Sequence, residues 1–116
     1  MAPRKIIIDT DPGQDDAVAI LLALASRAEL EVLAITAVAG NVPLELTARN
    51  ARTVCELARV TDVPVHAGCD RPLERALVTA EHVHGKTGLD GADLPAPALA
   101  LASMSAVEAI VHHVRR

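Results

Sequence analysis

The sequence predicts an α/β fold with a parallel sheet. Short apolar runs rich in β-branched residues alternate with longer segments of helical periodicity, in the order β-α-β-α-β-loop-α. The chain is 51% hydrophobic but contains no Phe, Trp or Tyr. Its core must therefore consist of Ala, Val, Leu and Ile, which suits a parallel sheet covered by Ala-rich helices. At 116 residues, we expect residues 1–116 to form at most one domain.

The first strand and helix are predicted over residues 5–9 and from residue 15 to about residue 26. The strand residues are continuous and β-branched rather than alternating, as in a strand buried on both faces. Asp15 and Asp16 stand in the first turn of the helix, where the helix dipole favours carboxylates. Because this helix is apolar nearly all round, we expect it to be well buried.

A second strand is predicted over residues 30–38, a second helix from residue 43 to about residue 59, and a short third strand over residues 63–67. Pro43 suits the first helical position. An apolar stripe of period 3.6 follows it, formed by Leu44, Thr47, Ala48, Ala51, Val54, Cys55 and Ala58.

The remaining sequence is predicted to form a long loop and a final helix. Residues 69–97 are rich in Gly, Pro, His and Asp without periodicity, and loops of this length in compact domains are usually functional or poorly ordered. The last helix begins at about Ser105, which has capping-box spacing to Glu108. Its apolar stripe is expected at Val107, Ile110, Val111 and Val114.

Composition argues against several classes of partner. The net charge is −4 with scattered basic residues, and no aromatic side chain is present for base stacking, so nucleic acid is not expected as a partner. The longest apolar stretch, residues 17–25, is too short to span a bilayer, so no membrane association is expected. Two cysteines without a motif and a start without a signal-peptide pattern predict a cytoplasmic protein.

Four aspartates crowd residues 9–16, directly after the first strand. A hard divalent cation bound by several oxygens would relieve the repulsion between them. Asp15 and Asp16 could instead serve only the helix N-terminus, but that explains two of the four. Asp9 and Asp11, Gly40-Asn41 and Gly68 all fall at carboxyl ends of predicted strands, the edge where parallel sheets bind ligands.

Residues 7–17, Ile-Ile-Asp-Thr-Asp-Pro-Gly-Gln-Asp-Asp-Ala, closely resemble the N-terminal signature of the inosine-uridine preferring nucleoside hydrolases. Further similar blocks follow in order at residues 38–41, 64–68 and 84–91. The resemblance implies the N-terminal part of a Rossmann-like, three-layer nucleoside hydrolase fold. It also implies hydrolysis of the N-glycosidic bond of ribonucleosides to free base and ribose, with Ca²⁺ as cofactor and a calcium-bound water as the nucleophile.

Site roles are carried over by motif position. The resemblance implies that Asp11 is a calcium ligand and the general base, and that Asp16 is the second calcium ligand. Asp15 and Asn41 would bind the ribose, and Asp9 would support the cluster. These roles agree with chemistry: carboxylates stabilise an oxocarbenium-like transition state, and an amide offers a diol both a donor and an acceptor.

His84 matches a histidine that lies near the substrate in the family, and it is the second catalytic candidate. Family members are normally more than twice this length, and the further calcium ligands and leaving-group contacts come from the additional part. We therefore expect the N-terminal portion of a domain, either inactive alone or active as a homo-oligomer or with a complementing chain.

Two other functions are compatible with the sequence. The chain could be a non-catalytic fragment or assembly module of the same fold. Alternatively, Asp9-Thr-Asp11 resembles the Asp-x-Asp of haloacid-dehalogenase-type phosphatases, with Asp9 as nucleophile, Asp11 as acid/base and Mg²⁺ as the metal. Pro12-Gly13 fits that motif poorly.

Overall fold

A computed structural model describes residues 1–116 as a three-stranded parallel sheet with four helices. The elements in chain order are β1 (Arg4–Thr10), α1 (Gln14–Ala25), β2 (Leu30–Ala37), α2 (Leu44–Leu57), β3 (Val65–Ala67), α3 (Glu81–His84) and α4 (Ala106–Val114). The strands lie in the order β1-β2-β3, and both pairs are parallel. The predicted α/β class and the alternation of strands and helices are confirmed.

The register of the sheet aligns one polar row across all three strands. Asp9 pairs with Thr36, and Thr36 pairs with His66, with a single irregularity between Ile6 and Ile7 of β1. Side chains alternate between the two faces of a strand, so these three residues share one face and Ile35 lies on the other.

Helices cover both faces of the sheet, which gives three layers. On the Ile35 face, α1 and α2 enclose the main apolar cluster, which contains Ile20, Leu24, Ile35, Ala51, Val54, Cys55, Val60, Val63, Val65 and Leu89. Burial raises the pKa of the Cys55 thiol to about 11, so this cysteine is an apolar core residue rather than a nucleophile. On the opposite face, α4 packs on β2 and β3.

The expectation that α1 is well buried is wrong. Ile20 and Leu24 are buried, but Val18 and Leu22 on the outer face are 66% and 68% exposed. The helix has the sheet on one side and α2 on another, and nothing in this chain covers its third side. An apolar sequence all round a helix shows that it can be buried on every side, but it does not show that this chain supplies every neighbour.

The predicted apolar stripe of α4 is also wrong, whereas its cap is confirmed. Val107, Val111 and Val114 are exposed and Ile110 is half-buried, and the helix buries Ala106 and Ala109 instead. Small residues allow the helix to approach the sheet closely, with Ala106 packed near Gly68. The Glu108 amide donates to Ser105 Oγ at 3.2 Å, as the capping box predicts.

Element boundaries differ from the predictions mainly at prolines. Pro43 is the extended residue before α2 rather than its first helical residue, and β3 begins after Pro64. The predicted loop over residues 69–97 contains the single turn α3 and is otherwise irregular. None of the four helices has the length and apolar character needed to cross a bilayer.

Candidate active site

The polar segments that follow the strands meet at the carboxyl edge of the sheet, as predicted. Asn41, which follows β2, forms two hydrogen bonds with Asp11, which follows β1. Its backbone N–H donates to Asp11 Oδ2 at 2.9 Å, and its side-chain Nδ2 donates to the Asp11 carbonyl at 2.8 Å. Asp11 is therefore held at both its backbone and its carboxylate, with Oδ1 outside these contacts.

Gly40 makes this close approach between the Asn41 loop and Asp11 sterically possible. A Cβ at position 40 would collide with the Asp11 carboxylate, so only glycine allows the loop to pass at this distance. The glycine of the Gly40-Asn41 pair therefore has a definite role: it provides the space that the Asp11 side chain occupies.

Asp16 completes a crowded group of carboxylates with Asp11 and Asp15. The Thr10 hydroxyl donates to Asp16 Oδ2 at 3.0 Å. Burial is the largest cause that raises the pKa of Asp16, and the negative charges of Asp15 and Asp11 add to it, while the Thr10 hydrogen bond opposes it. The folded chain thus disfavours negative charge at Asp16, and a bound cation would reverse that preference.

Asp9 lies on the strand itself, and its carboxylate contacts β2 rather than the other aspartates. The Thr36 hydroxyl donates to Asp9 Oδ1 at 2.6 Å, and Thr36 is fully buried. A charge-assisted hydrogen bond across two parallel strands fixes the end of β1 relative to β2. This position is compatible with the supporting role predicted for Asp9.

His84, the second catalytic candidate, lies against the turn that follows Asp11, although 70 residues separate it from Gln14. Its Nδ1 lies 2.7 Å from Gln14 Oε1. A Cβ at Gly13 would meet the same ring nitrogen at 2.5 Å, so this glycine lets the imidazole rest on the backbone. The Ala80 amide also donates to the Asn41 carbonyl at 2.8 Å, which brings the start of α3 to the Asp11 loop.

Asn50 is a site-forming residue that the sequence analysis missed. It is only 5% exposed, and its Nδ2 donates to the carbonyls of Pro12 at 3.1 Å and Thr87 at 2.7 Å. Gly88, with φ of 88°, packs on the same amide. Asn50 therefore ties the aspartate turn to the loop that carries His84. A polar residue within the buried stripe of α2 was the signal for it.

The loop after His84 is organised around Asp90. Its carboxylate accepts hydrogen bonds from the Thr87 hydroxyl and from the Thr87 and Lys86 amides, the last two at 3.2 Å. The Thr87 hydroxyl is the largest of the causes that lower the pKa of Asp90. The charged carboxylate therefore stabilises the turn of residues 86–90.

We expect Asp90→Ala to loosen this turn at neutral pH but not in acid. The pKa of Asp90 is lower in the folded chain than its ordinary value of 3.8. The contribution of its carboxylate to the stability of the turn is therefore complete above pH 3.8 and disappears as the pH falls through the lowered pKa. The amide resonances of Lys86 and Thr87, followed by NMR between about pH 6 and pH 2, measure this loosening of the turn. Wild type and variant should converge at the acid end, and a difference of equal size throughout would contradict this. Asp93→Ala removes a nearby exposed carboxylate as the control.

A groove of about 400 Å³ lies at the opposite end of the sheet, away from the aspartates. Its lining is largely apolar and includes Leu24, Leu30 and Val32. Its charged pair, Arg27 and Asp62, forms an exposed salt bridge of 3.0 Å. Glu31 is the other charged residue of the lining, which contains no Ser, Thr, Cys or His. We therefore seek the catalytic candidates at the carboxyl edge.

The donor chemistry of the aspartate group fits Ca²⁺ in part. All its donors are carboxylate oxygens, which Ca²⁺ prefers. However, the chain holds no group of three or more His, Cys, Asp or Glu side chains arranged to bind a metal ion. The ion takes six to eight oxygens, so Asp11 and Asp16 could supply only part of its coordination.

Comparison with known proteins defines the class of the fold. A purine-preferring ribonucleoside hydrolase from Gardnerella vaginalis superposes with a TM-score of 0.90 at 31% identity, over 97% of this chain and 37% of that one. The fold is therefore that of the nucleoside hydrolases, as the sequence resemblance implied.

The sequence profile of inosine-uridine preferring nucleoside hydrolases matches residues 6–116, and the chain belongs to this family. An inosine-uridine preferring nucleoside hydrolase of Crithidia fasciculata is 53% identical over 94 residues, which are 81% of this chain and 30% of that protein. A pyrimidine-specific ribonucleoside hydrolase of Escherichia coli is 50% identical over 110 residues, 95% of this chain and 35% of that protein. The chain thus spans about a third of the length of these relatives.

Proposed function

We propose that this chain forms the calcium- and ribose-binding part of a ribonucleoside hydrolase site, which cleaves the N-glycosidic bond to free base and ribose. The main support for the proposal is the pair of hydrogen bonds from Asn41 to Asp11 at the carboxyl edge of the sheet, with Asp15 and Asp16 alongside. Family membership supports this reaction rather than the phosphatase alternative.

Each residue has a role that its contacts allow. Asp11 and Asp16 would hold Ca²⁺, and a bound divalent cation lowers the pKa of a water molecule in contact with it. Asp11, fixed through Oδ2, accepts the proton of the attacking water. Asp15 is exposed at the start of α1 and accepts a hydrogen bond from a ribose hydroxyl. The carboxylates together stabilise the positive charge that develops on the sugar ring.

Asn41 has one side-chain atom left for the sugar in this proposal. Its Nδ2 already donates to the Asp11 carbonyl, so Oδ1 is the atom that would accept from a ribose hydroxyl. His84 is the candidate for proton exchange with the substrate, because it lies beside the same turn. Asp9 supports the cluster through Thr36.

The chain supplies two carboxylate ligands, Asp11 and Asp16, which provide fewer oxygens than the six to eight that Ca²⁺ prefers, so we propose that residues 1–116 are one partial domain that needs further ligands. A second copy or a complementing chain would provide them. The names of the relatives cover inosine-uridine, pyrimidine and purine preferences, so the substrate class is proposed only as ribonucleosides. A cytoplasmic location stays a prediction of the sequence.

Release of ribose from inosine and from uridine, measured with Ca²⁺ and then with excess chelator, tests the proposal. We expect turnover with Ca²⁺ and its loss with chelator, because two carboxylates cannot activate water sufficiently without the cation. Readdition of Ca²⁺ should restore the rate. A rate that chelator leaves unchanged would contradict the mechanism, and no turnover under any condition would favour the non-catalytic alternative.

Calcium should also stabilise the chain in a way that depends on Asp16. Asp16→Asn keeps the acceptor for Thr10 but removes one of three crowded charges, so we expect the metal-free melting temperature to rise by roughly 1–3 °C. Millimolar Ca²⁺ should raise the melting temperature of the wild type and not of the variant. Asp62→Asn, which removes the same charge at the opposite end of the sheet, is the control and should keep the response. An Asp16→Asn chain that responds like the wild type would remove Asp16 from the metal site.

A further inference from the structure

Gln14 connects two segments of the site through both ends of its side-chain amide. Oε1 lies 2.7 Å from His84 Nδ1, and Nε2 donates to the Asp90 carbonyl at 3.0 Å. Gln14 is the first residue of α1, directly before Asp15. It therefore lies between the aspartate group and the loop that carries His84.

These two contacts determine which nitrogen of His84 carries the proton. The Asp90 carbonyl can only accept, so the amide must direct its Nε2 donor there and its Oε1 acceptor toward His84. The opposite amide orientation would place two oxygens in contact. Because Gln14 Oε1 only accepts, His84 Nδ1 must donate. The neutral ring is thus the Nδ1–H tautomer, whose Nε2 carries the lone pair.

We propose that Gln14 is a positioning residue that makes Nε2 the only nitrogen of His84 able to exchange a proton with a ligand. The neutral ring then accepts from a ligand hydroxyl or N–H at Nε2, and the protonated ring donates from the same atom while Nδ1 stays bonded to Gln14. The assignment of a nucleoside as this ligand rests on the proposed function. The tautomer itself rests on the hydrogen bonds alone.

The stacking of the ring on Gly13 is consistent with this role. The imidazole lies so close to Gly13 that any Cβ at this position would collide with Nδ1, so glycine gives the ring the room to rest on the backbone. Turning the ring would place a carbon against Gln14 Oε1 and lose the hydrogen bond. Orientation and tautomer are therefore fixed by the same turn, which is what a proton-exchanging side chain requires.

Proton-coupled ¹⁵N NMR of the histidine rings at about pH 8.5, where an ordinary imidazole is neutral, tests the tautomer without any need for turnover. His84→Ala assigns the resonances. In the wild type we expect a protonated Nδ1 and an unprotonated Nε2 on His84. Gln14→Met, which keeps the length of the side chain but removes its acceptor and donor, should convert His84 to a mixture of tautomers. His82 lies on the same short helix but has no partner of this kind, so its tautomer ratio should not change.

Two results would overturn the proposal: an Nε2–H tautomer in the wild type, or an Nδ1–H tautomer that persists unchanged in Gln14→Met. Thermal unfolding of the variant establishes that it is folded. If the riboside assay shows turnover, Gln14→Met should lower kcat by about tenfold with a smaller change in KM. A turnover rate that does not depend on calcium would refute the proposed reaction. The tautomer of His84 would still decide whether Gln14 has the proposed positioning role.

Discussion

Asp11→Asn is expected to lower riboside turnover by at least about a thousandfold. The substitution removes the general base, a group whose loss alone costs about 10²–10⁴ in rate, and it weakens the calcium site at the same time. The fold should persist, because the amide oxygen of asparagine can still accept from the Asn41 backbone N–H. Steady-state kinetics with inosine and uridine at saturating Ca²⁺ measure the loss as a change in kcat/KM.

Asp62→Asn is the matched control for this variant. It also converts an aspartate to asparagine, but at an exposed salt bridge at the opposite end of the sheet, and it should leave turnover within about twofold of the wild type. An Asp11→Asn chain with more than a tenth of the wild-type rate would exclude Asp11 as the base. If the chain shows no turnover, the calcium-induced shift in melting temperature should still distinguish the two variants, being lost only in Asp11→Asn.

Asn50→Leu should destabilise the chain by about 2–4 kcal/mol. The change leaves the Pro12 and Thr87 carbonyls without their donor, and a buried acceptor that loses its partner costs about 1–3 kcal/mol. The apolar replacement is similar in size and offers no donor in return. Urea unfolding of the wild type and the variant measures the difference in free energy of unfolding.

Arg49→Leu provides the comparison on the same helix. Arg49 is exposed, so replacing it with leucine should change stability by less than about 0.5 kcal/mol. Asn50→Leu should also broaden or shift the amide resonances of residues 86–90, since Thr87 loses its tie to α2. A loss of stability no larger than that of Arg49→Leu would mean that the buried amide does not hold the two segments together.

The order and type of the main elements could be predicted because each has a clear period. The stripe of α2 corresponds to a buried face in the structure, whereas the β-branched run before Asp9 forms the predicted strand but is only half-buried rather than buried on both faces. Burial of α1 and α4 could not be predicted in the same way. Val18 and Val107 have the composition of core residues, yet burial depends on which neighbours the chain provides, and a local pattern does not encode that.

The candidate site was predictable where residues are close in sequence to a strand end. Asp11 and Asn41 were placed together because parallel strands end at a common edge, and their hydrogen bonds agree with that placement. Gln14 and Asn50 were not identified, since each acts through carbonyls or rings far away in sequence. A polar residue in a sequence usually indicates a solvent-exposed position. Only the tertiary structure shows that Gln14 and Asn50 connect the segment after β1 to the loop that carries His84.

The parallel sheet has a consequence for how the chain acquires its structure. Neither pair of strands can form until the chain has crossed over through a helix, so no hairpin can nucleate the ladder and the pairing is non-local. Such topologies fold slowly, and even after folding ends the free edge of β1 and the exposed side chains of Val18 and Leu22 remain accessible to another chain. During refolding, association between chains therefore competes with the intramolecular search, and dilute conditions favour the native sheet.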